Sequence, residues 1–182
     1  AEDIKSSAFW SVIGSLIVIG LYILFRFRKW QFSMGAIVSS AHDVLLVLGI
    51  YSLTYSIMPF NMEIDQAFIA AILTVVGYSL NDTVIIYDRI REVMRQPHWS
   101  REKINHALNT TLSRTLNTSF TTLAVLVTIF IFGGETLRGF MFAMIIGVFV
   151  GTYSSIFVAA PIIYDTVKDE SVSSDNKEEH KK

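Results

Sequence analysis

Gly77-Tyr78-Ser79-Leu80-Asn81-Asp82-Thr83-Val84-Ile85-Ile86-Tyr87-Asp88-Arg89-Ile90-Arg91-Glu92 sets one carboxylate, Asp82, inside a run apolar enough to cross a bilayer, and closes that run with a basic cluster. An ionisable group at such depth has to be neutralised, paired or wetted, so it marks an ion or proton path more often than a packing position. Asp82 is therefore the first candidate for function.

The rest of the chain agrees with a bilayer setting. Its 182 residues are 52% hydrophobic and only 17% charged, too oily for a soluble domain of this size. The formal net charge of −1 gives no field of one sign, so nucleic acid is not a predicted partner. Zero cysteines exclude a disulfide framework and a thiolate metal site. The first residues do not read as a signal peptide, because no basic region precedes the first hydrophobic run and no small-residue cleavage pattern follows it.

About 20 apolar residues at about 1.5 Å rise cover a hydrocarbon core of about 30 Å. Five segments meet that length, at roughly 7–25, 34–57, 64–87, 115–132 and 140–164. The predicted class is all-α, a polytopic bundle of five transmembrane helices, with residues 1–6 as an extracytoplasmic stub and 7–165 as the bundle. Arg26, Arg28 and Lys29 mark one connection, and Arg89, Arg91, Arg95, Arg101 and Lys103 another on the same side. The opposite connections carry Glu63, Asp65 and Glu135, with Arg138 the one base. The positive-inside rule then puts the N-terminus outside and the C-terminus in the cytosol.

Between 90 and 114, Pro97 should break any continuous helix and Ser100 can cap a new one. Ile104, Ala107, Leu108, Thr111 and Leu112 recur at helical spacing, which predicts a short interfacial helix over about 100–112 on the cytosolic face. Lys168-Asp169-Glu170 and then Ser173 to Lys182 are polar, mixed in charge and without apolar groups to bury, so 166–182 read as a disordered cytosolic tail. Gly147-Val148-Phe149-Val150-Gly151 is a GxxxG suited to close helix contact, and Pro161 should kink the last span or terminate its regular hydrogen bonding.

Thr74, Gly77, Tyr78, Asn81 and Asp82 fall at spacings of three and four, so one face of the third span is polar or small. The fourth span carries a matching stripe of Arg114, Asn117, Thr118, Thr121 and Thr128. Both stripes should face protein or water rather than lipid. Arg114 is the natural partner of Asp82: burial disfavours the carboxylate's charge and a nearby guanidinium favours it, so a helix movement that separates them would load or unload a proton. A membrane potential supplies about 2.3 kcal/mol per charge per 100 mV, enough to bias such a movement. A static ion pair fixing helix register is the alternative.

His42-Asp43 is a second pair, nearer the cytosolic end of its span. Adjacent helical residues point about 100° apart, so a capping or interhelical hydrogen-bond role is expected there. Asp88 and Glu92, among arginines at the membrane edge, should be solvated or salt-bridged. No nucleophile elbow, HExxH or nucleotide-binding glycine pattern occurs, and the four histidines are scattered, so no enzyme chemistry, metal or cofactor is predicted beyond protons as coupling ion. The N-x-[ST] matches at Asn81, Asn109 and Asn117 lie within spans or on the cytosolic side and should be inert.

Gly77 to Val84 running into Tyr87 to Glu92, then Leu112-Ser113-Arg114-Thr115-Leu116-Asn117-Thr118-Ser119, Phe132-Gly133-Gly134 and Ile146 to Ile156, together with Ala41-His42-Asp43-Val44, resemble the SecF family of the bacterial Sec protein-export machinery, often fused to SecD. The resemblance implies a relative of the resistance-nodulation-division transporters. Such a protein sits in the bacterial inner membrane, works with SecD and the SecYEG channel, and uses the proton-motive force to help pull unfolded preproteins across. It implies Asp82 and Arg114 as the proton-transport positions, with Thr74, Tyr78, Asn81, Asn117, Thr118, Thr121 and Asp43 as supporting polar lining. Family members normally have six spans, the first followed by a periplasmic domain, and this chain begins just before the second. A passive scaffold between SecD and the translocon, or a small-molecule exporter of the same superfamily, are the competing readings.

Overall fold

The computed structural model describes residues 2–96 and 100–166, with side chains described from Ser6 onward. Within them the chain is helical: α1 (Glu2–Phe27), α2 (Trp30–Thr54), α3 (Gln66–Met94), α4 (Arg101–Phe132), α5 (Glu135–Ser154), a π turn (Ser155–Ala159) and α6 (Ala160–Thr166). Five helices are long and apolar enough to cross a membrane, the fifth being the continuous run from Glu135 to Thr166. The chain is a polytopic membrane protein. Phe25, Leu45, Leu53, Phe120, Phe132 and Phe149 stand out from the bundle, each more than two-thirds exposed, an arrangement that lipid favours and water does not.

Several helix ends lie outside the apolar runs. α1 starts at Glu2 rather than near residue 7, and α3 runs on to Met94. α2 stops at Thr54, leaving 55–57 in a turn. The predicted short helix over 100–112 is present, but it is not separate: α4 runs unbroken from Arg101 to Phe132. The stretch from 101 to 132 contains no Gly or Pro, so nothing interrupts its hydrogen-bond ladder. Ser100 is its N-cap, accepting from Lys103 N–H at 3.4 Å, and Asp65 caps α3 by accepting from Phe68 N–H at 2.8 Å. The expected break at Pro97 and the expected tail beyond Thr166 lie outside the described residues.

Helices α3 and α5 form the centre. A Cβ on Gly147 would collide with the Val75 side chain, and one on Gly151 would come within 2.8 Å of Ser79 Cβ. The GxxxG therefore serves close packing, as its spacing predicts. α2 packs on α5 and α3, α1 packs mainly on α2, and α4 lies against α5 and α3 with only Ile104, Ala107, Thr115, Ser119 and Leu126 buried. The regular hydrogen bonding of the last span is interrupted at Pro161, as expected, while the helix itself continues. The turn ahead of Pro161 widens, with Ala160 N–H reaching Ser155 O, and this absorbs the missing proline donor.

At the basic end, Phe27 stacks on Phe32 with centroids 5.0 Å apart, and Tyr87 meets both edge-on. Arg26 and Arg91 lie over the Phe27 ring, and Arg26 reaches Asp88 at 3.0 Å. The two-residue link from α1 to α2 turns through Arg28 at φ 57°, a left-handed conformation that costs a side chain energy. The cluster thus ties the ends of α1, α2 and α3 together.

Candidate functional site

Asp82 sits midway along α3 on the face turned toward α4 and α5, and only 1% of it is exposed. One oxygen, Oδ2, lies 3.5 Å from Ser119 Oγ of α4. The other, Oδ1, is buried without a hydrogen-bond partner. Ser119 also meets Thr152 Oγ1 of α5 at 2.6 Å, while Thr152 Oγ1 donates to Val148 O at 2.8 Å. A hydroxyl has one hydrogen. With the Thr152 hydrogen on Val148 O, the Ser119 hydrogen goes to its nearer neighbour Thr152, and the carboxyl receives at most a share of it. No neutralising group of full charge touches Asp82: the ion pairs among the described residues are Arg26–Asp88, His42–Asp43 and Arg89–Glu92.

Arg114 is exposed on α4 and makes no ion pair with Asp82. The two stand apart because α4 turns Thr115 and Ser119 inward, which rotates Arg114 onto the outer face. The lining residues follow the same split. Thr74, Asn81, Asn117, Thr118 and Thr121 are exposed, and Tyr78 is half-buried with its hydroxyl donating to Thr122 Oγ1 at 3.3 Å. The threonines return their hydroxyls to their own helices, Thr74 to Ala70 O, Thr118 to Arg114 O and Thr121 to Asn117 O. The amides of Asn81 and Asn117 and the guanidinium of Arg114 have no such internal outlet. A polar strip along α3 and α4 thus faces outward from a membrane-spanning bundle, where lipid cannot satisfy it.

Asp43 of α2 is fully buried and accepts a 2.6 Å hydrogen bond from Ser79 Oγ of α3, one turn before Asp82. His42 Nδ1 lies 3.3 Å from its other oxygen, so the two neighbouring side chains bend toward each other despite their helical offset. The interhelical hydrogen-bond role expected for this pair is realised through Ser79. Around it lie hydroxyls that the sequence did not single out. Ser39 donates to Ser154 Oγ at 3.1 Å, Thr83 Oγ1 and Ser155 Oγ are 2.8 Å apart, and Ser155 donates to Ser79 O at 3.2 Å. A seam of small hydroxyls therefore runs through the α2–α3–α5 contact and on to α4, with one carboxyl on each side. Its sequence signal is serine and threonine beside close-packing glycines, and that signal emerges only once the helices are assembled. Asp88 and Glu92 are salt-bridged as expected, to Arg26 and Arg89, the latter at 2.7 Å.

Comparison with known proteins agrees with this architecture. The family model for the C-terminal region of protein export membrane proteins SecD/SecF matches residues 1–169. A protein translocase subunit SecF from Rhodothermus marinus is 57% identical over 167 residues, covering 91% of this chain and 54% of that protein. A protein translocase subunit SecDF from Brucella abortus is 44% identical over 165 residues, covering 90% of this chain and 21% of the relative. The crystal structure of SecDF in its super-membrane-facing form superposes with a TM-score of 0.77 at 38% identity, over all of this chain and 24% of that one. SecDF from Thermus thermophilus, a translocon-associated membrane protein, gives the same TM-score at 41% identity over 88% of this chain and 22% of its own. The chain spans about half the length of the SecF relative and about a quarter of the SecDF structures.

Proposed function

This chain belongs to the SecD/SecF family of protein-export membrane proteins, and on that premise we propose that it is the membrane core of a Sec translocase subunit whose Asp82 takes up and releases a proton as the helices around it shift. The coupling assists passage of unfolded preproteins across the bacterial inner membrane, with the SecYEG channel as the conduit. Asp82 carries this reading: a carboxyl in mid-span, 1% exposed, with one oxygen unpartnered and the other at the limit of a single hydroxyl's reach. A group meant only to hold two helices together would be paired and fully bonded.

Arg114 gates the proton rather than neutralising it at rest. It stands about a turn and a half from Ser119 on the same helix, so rotation or sliding of α4 would bring its guanidinium toward the carboxyl and drive the proton off. Moving α4 away leaves a carboxyl that has to be reprotonated. The exposed strip of Asn81, Asn117, Thr118, Thr121 and Arg114 is where the SecD partner closes the path, since the fused SecDF relatives carry both halves in one chain. In this orientation the N-terminus is periplasmic and the C-terminus cytosolic, with the Arg26 to Lys29 and Arg89 to Lys103 clusters on the cytosolic side.

The test is preprotein import into inner-membrane vesicles carrying the full-length protein and SecD. Asp82→Asn should remove the stimulation by a proton gradient while the folded protein stays in the membrane. Gradient-stimulated import at the wild-type rate by that variant would end the proposal.

A further inference from the structure

The mid-span pair on α2 has a chemistry that the site around Asp82 does not absorb. Asp43 is fully buried, and no lysine or arginine occurs in α2, in residues 6–25 of α1, or in α3 before Arg89. Its polar contacts are Ser79 Oγ at 2.6 Å on Oδ2, His42 Nδ1 at 3.3 Å on Oδ1 and the Ser154 hydroxyl of α5. The His42 side chain is 32% exposed, and its other ring nitrogen has no hydrogen-bond partner among the described residues. One end of the pair is therefore reachable from outside the bundle and the other is dry, bridged by an imidazole whose two nitrogens can take and give a proton at once.

The titratable groups facing this pair from the packed elements are few. On α3 they are Asp82, one turn beyond Ser79, and Tyr87, whose hydroxyl lies against Gly35 two turns below. On α2 itself Tyr51 lies two turns the other way and packs on Phe68. At mid-span α1 offers the exposed Tyr22 and α5 with the π turn the exposed Tyr153, while Glu135 and Arg138 stand at the start of α5 and Tyr164 and Asp165 on α6 at the opposite end. No permanent cation stands near enough to fix Asp43 as an anion by direct contact. That is a poor design for a structural salt bridge, whose partners should both be permanently charged and fully bonded.

We propose that His42 and Asp43 form a second proton-exchange site, which passes protons between the outer face of α2 and the hydroxyl seam beside Asp82. A proton adds to the free ring nitrogen of His42, the Nδ1 hydrogen moves to Asp43 Oδ1, and the imidazole is left neutral in its other tautomer. The reverse order empties the site. Ser79 senses the result, because its hydroxyl donates to Asp43 Oδ2, a bond that weakens when a proton on Oδ1 removes the carboxylate's charge, and it shares its helix face with Asp82. Ser79 also touches the π turn through Ser155, so a change in its hydrogen bond reaches the most irregular backbone in the bundle. The inference rests on the proton-coupled reading of Asp82 given above.

The experiment uses the full-length protein with its SecD partner in proteoliposomes under an imposed pH gradient, read by an enclosed pH dye, with infrared difference spectra for protonated carboxyls. Asp43→Asn and His42→Gln should each lower proton flux at least tenfold, and Asp43→Glu should restore part of it. Asp43→Asn should also delete a carboxyl band distinct from the one lost in Asp82→Asn. If Asp43→Asn fails to assemble, His42→Gln at the partly exposed ring decides alone. Wild-type flux in His42→Gln, with Asp82→Asn inactive, overturns this second site and leaves the Asp82 reading standing. Wild-type flux in Asp82→Asn overturns both.

Discussion

Replacing Gly147 by alanine should loosen the α3–α5 contact even though it improves the helix. In isolation the change favours the α-helical backbone by about 1 kcal/mol, because alanine loses less conformational entropy than glycine. Here the new methyl would overlap Val75 Cγ2 and come within 2.7 Å of Cγ1 and 2.9 Å of Cβ. Val75 is 1% exposed and β-branched, so it has no free rotamer to adopt, and the helices themselves must separate. Overpacking of that kind costs about 1–3 kcal/mol, leaving a net loss of up to about 2 kcal/mol once the propensity gain is subtracted. Gly49→Ala is the control, since a Cβ there meets nothing within 4 Å and should be neutral or stabilising. Trimming Val75 to alanine removes both colliding γ carbons, so the double variant should be more stable than the sum of the singles by about 1 kcal/mol or more. Reversible unfolding in mixed micelles measures all four proteins. Because Thr152 follows Gly147 on the same helix, separation should also pull Thr152 from Ser119, and gradient-stimulated export should fall with stability. Equal stability of Gly147→Ala and Gly49→Ala would refute the packing account of the GxxxG.

Ser119→Ala removes the one side-chain hydrogen bond that Asp82 has among the described residues, along with a bond to Thr152; proton flux should fall severalfold with a stability loss of about 1 kcal/mol, and unchanged flux would show that Ser119 does not tune the carboxyl. Tyr87→Phe deletes a buried hydroxyl with no partner, so unfolding free energy should stay level or rise by about 1 kcal/mol; a clear loss would mean the hydroxyl is bonded. The Arg26–Asp88 pair is 41% exposed on both sides, and a double-mutant cycle should return no more than about 1 kcal/mol of coupling, falling further with added salt.

The fold was legible because hydropathy over span-length windows reports directly on the bilayer, and all five spanning helices lie where the apolar runs fall. Helix ends were less legible. Residues 30–33, 88–94 and 101–114 are polar enough to leave the hydrocarbon but contain good helix formers and no glycine or proline, so the helices continue through them. Asp82 stood out since a lone carboxylate in an apolar run has to be neutralised, paired or wetted whatever its role. Its hydroxyl neighbours Ser119 and Thr152 did not, because serine and threonine satisfy themselves on their own helices anywhere in a span. Whether Arg114 meets Asp82 depends on the rotation of α4 about its axis. Packing of Thr115, Ser119 and Leu126 sets that rotation, and no spacing rule encodes it.

The central claim is that the Asp82 carboxyl exchanges a proton in step with helix movement. The most direct measurement is the protonation of that carboxyl, followed by isotope-edited infrared spectroscopy in the full-length protein with SecD while a pH gradient is applied and removed during export. The account predicts a carboxyl band that appears and vanishes with each change of gradient and is absent in Asp82→Asn. A band that stays constant under both conditions while export proceeds would contradict it.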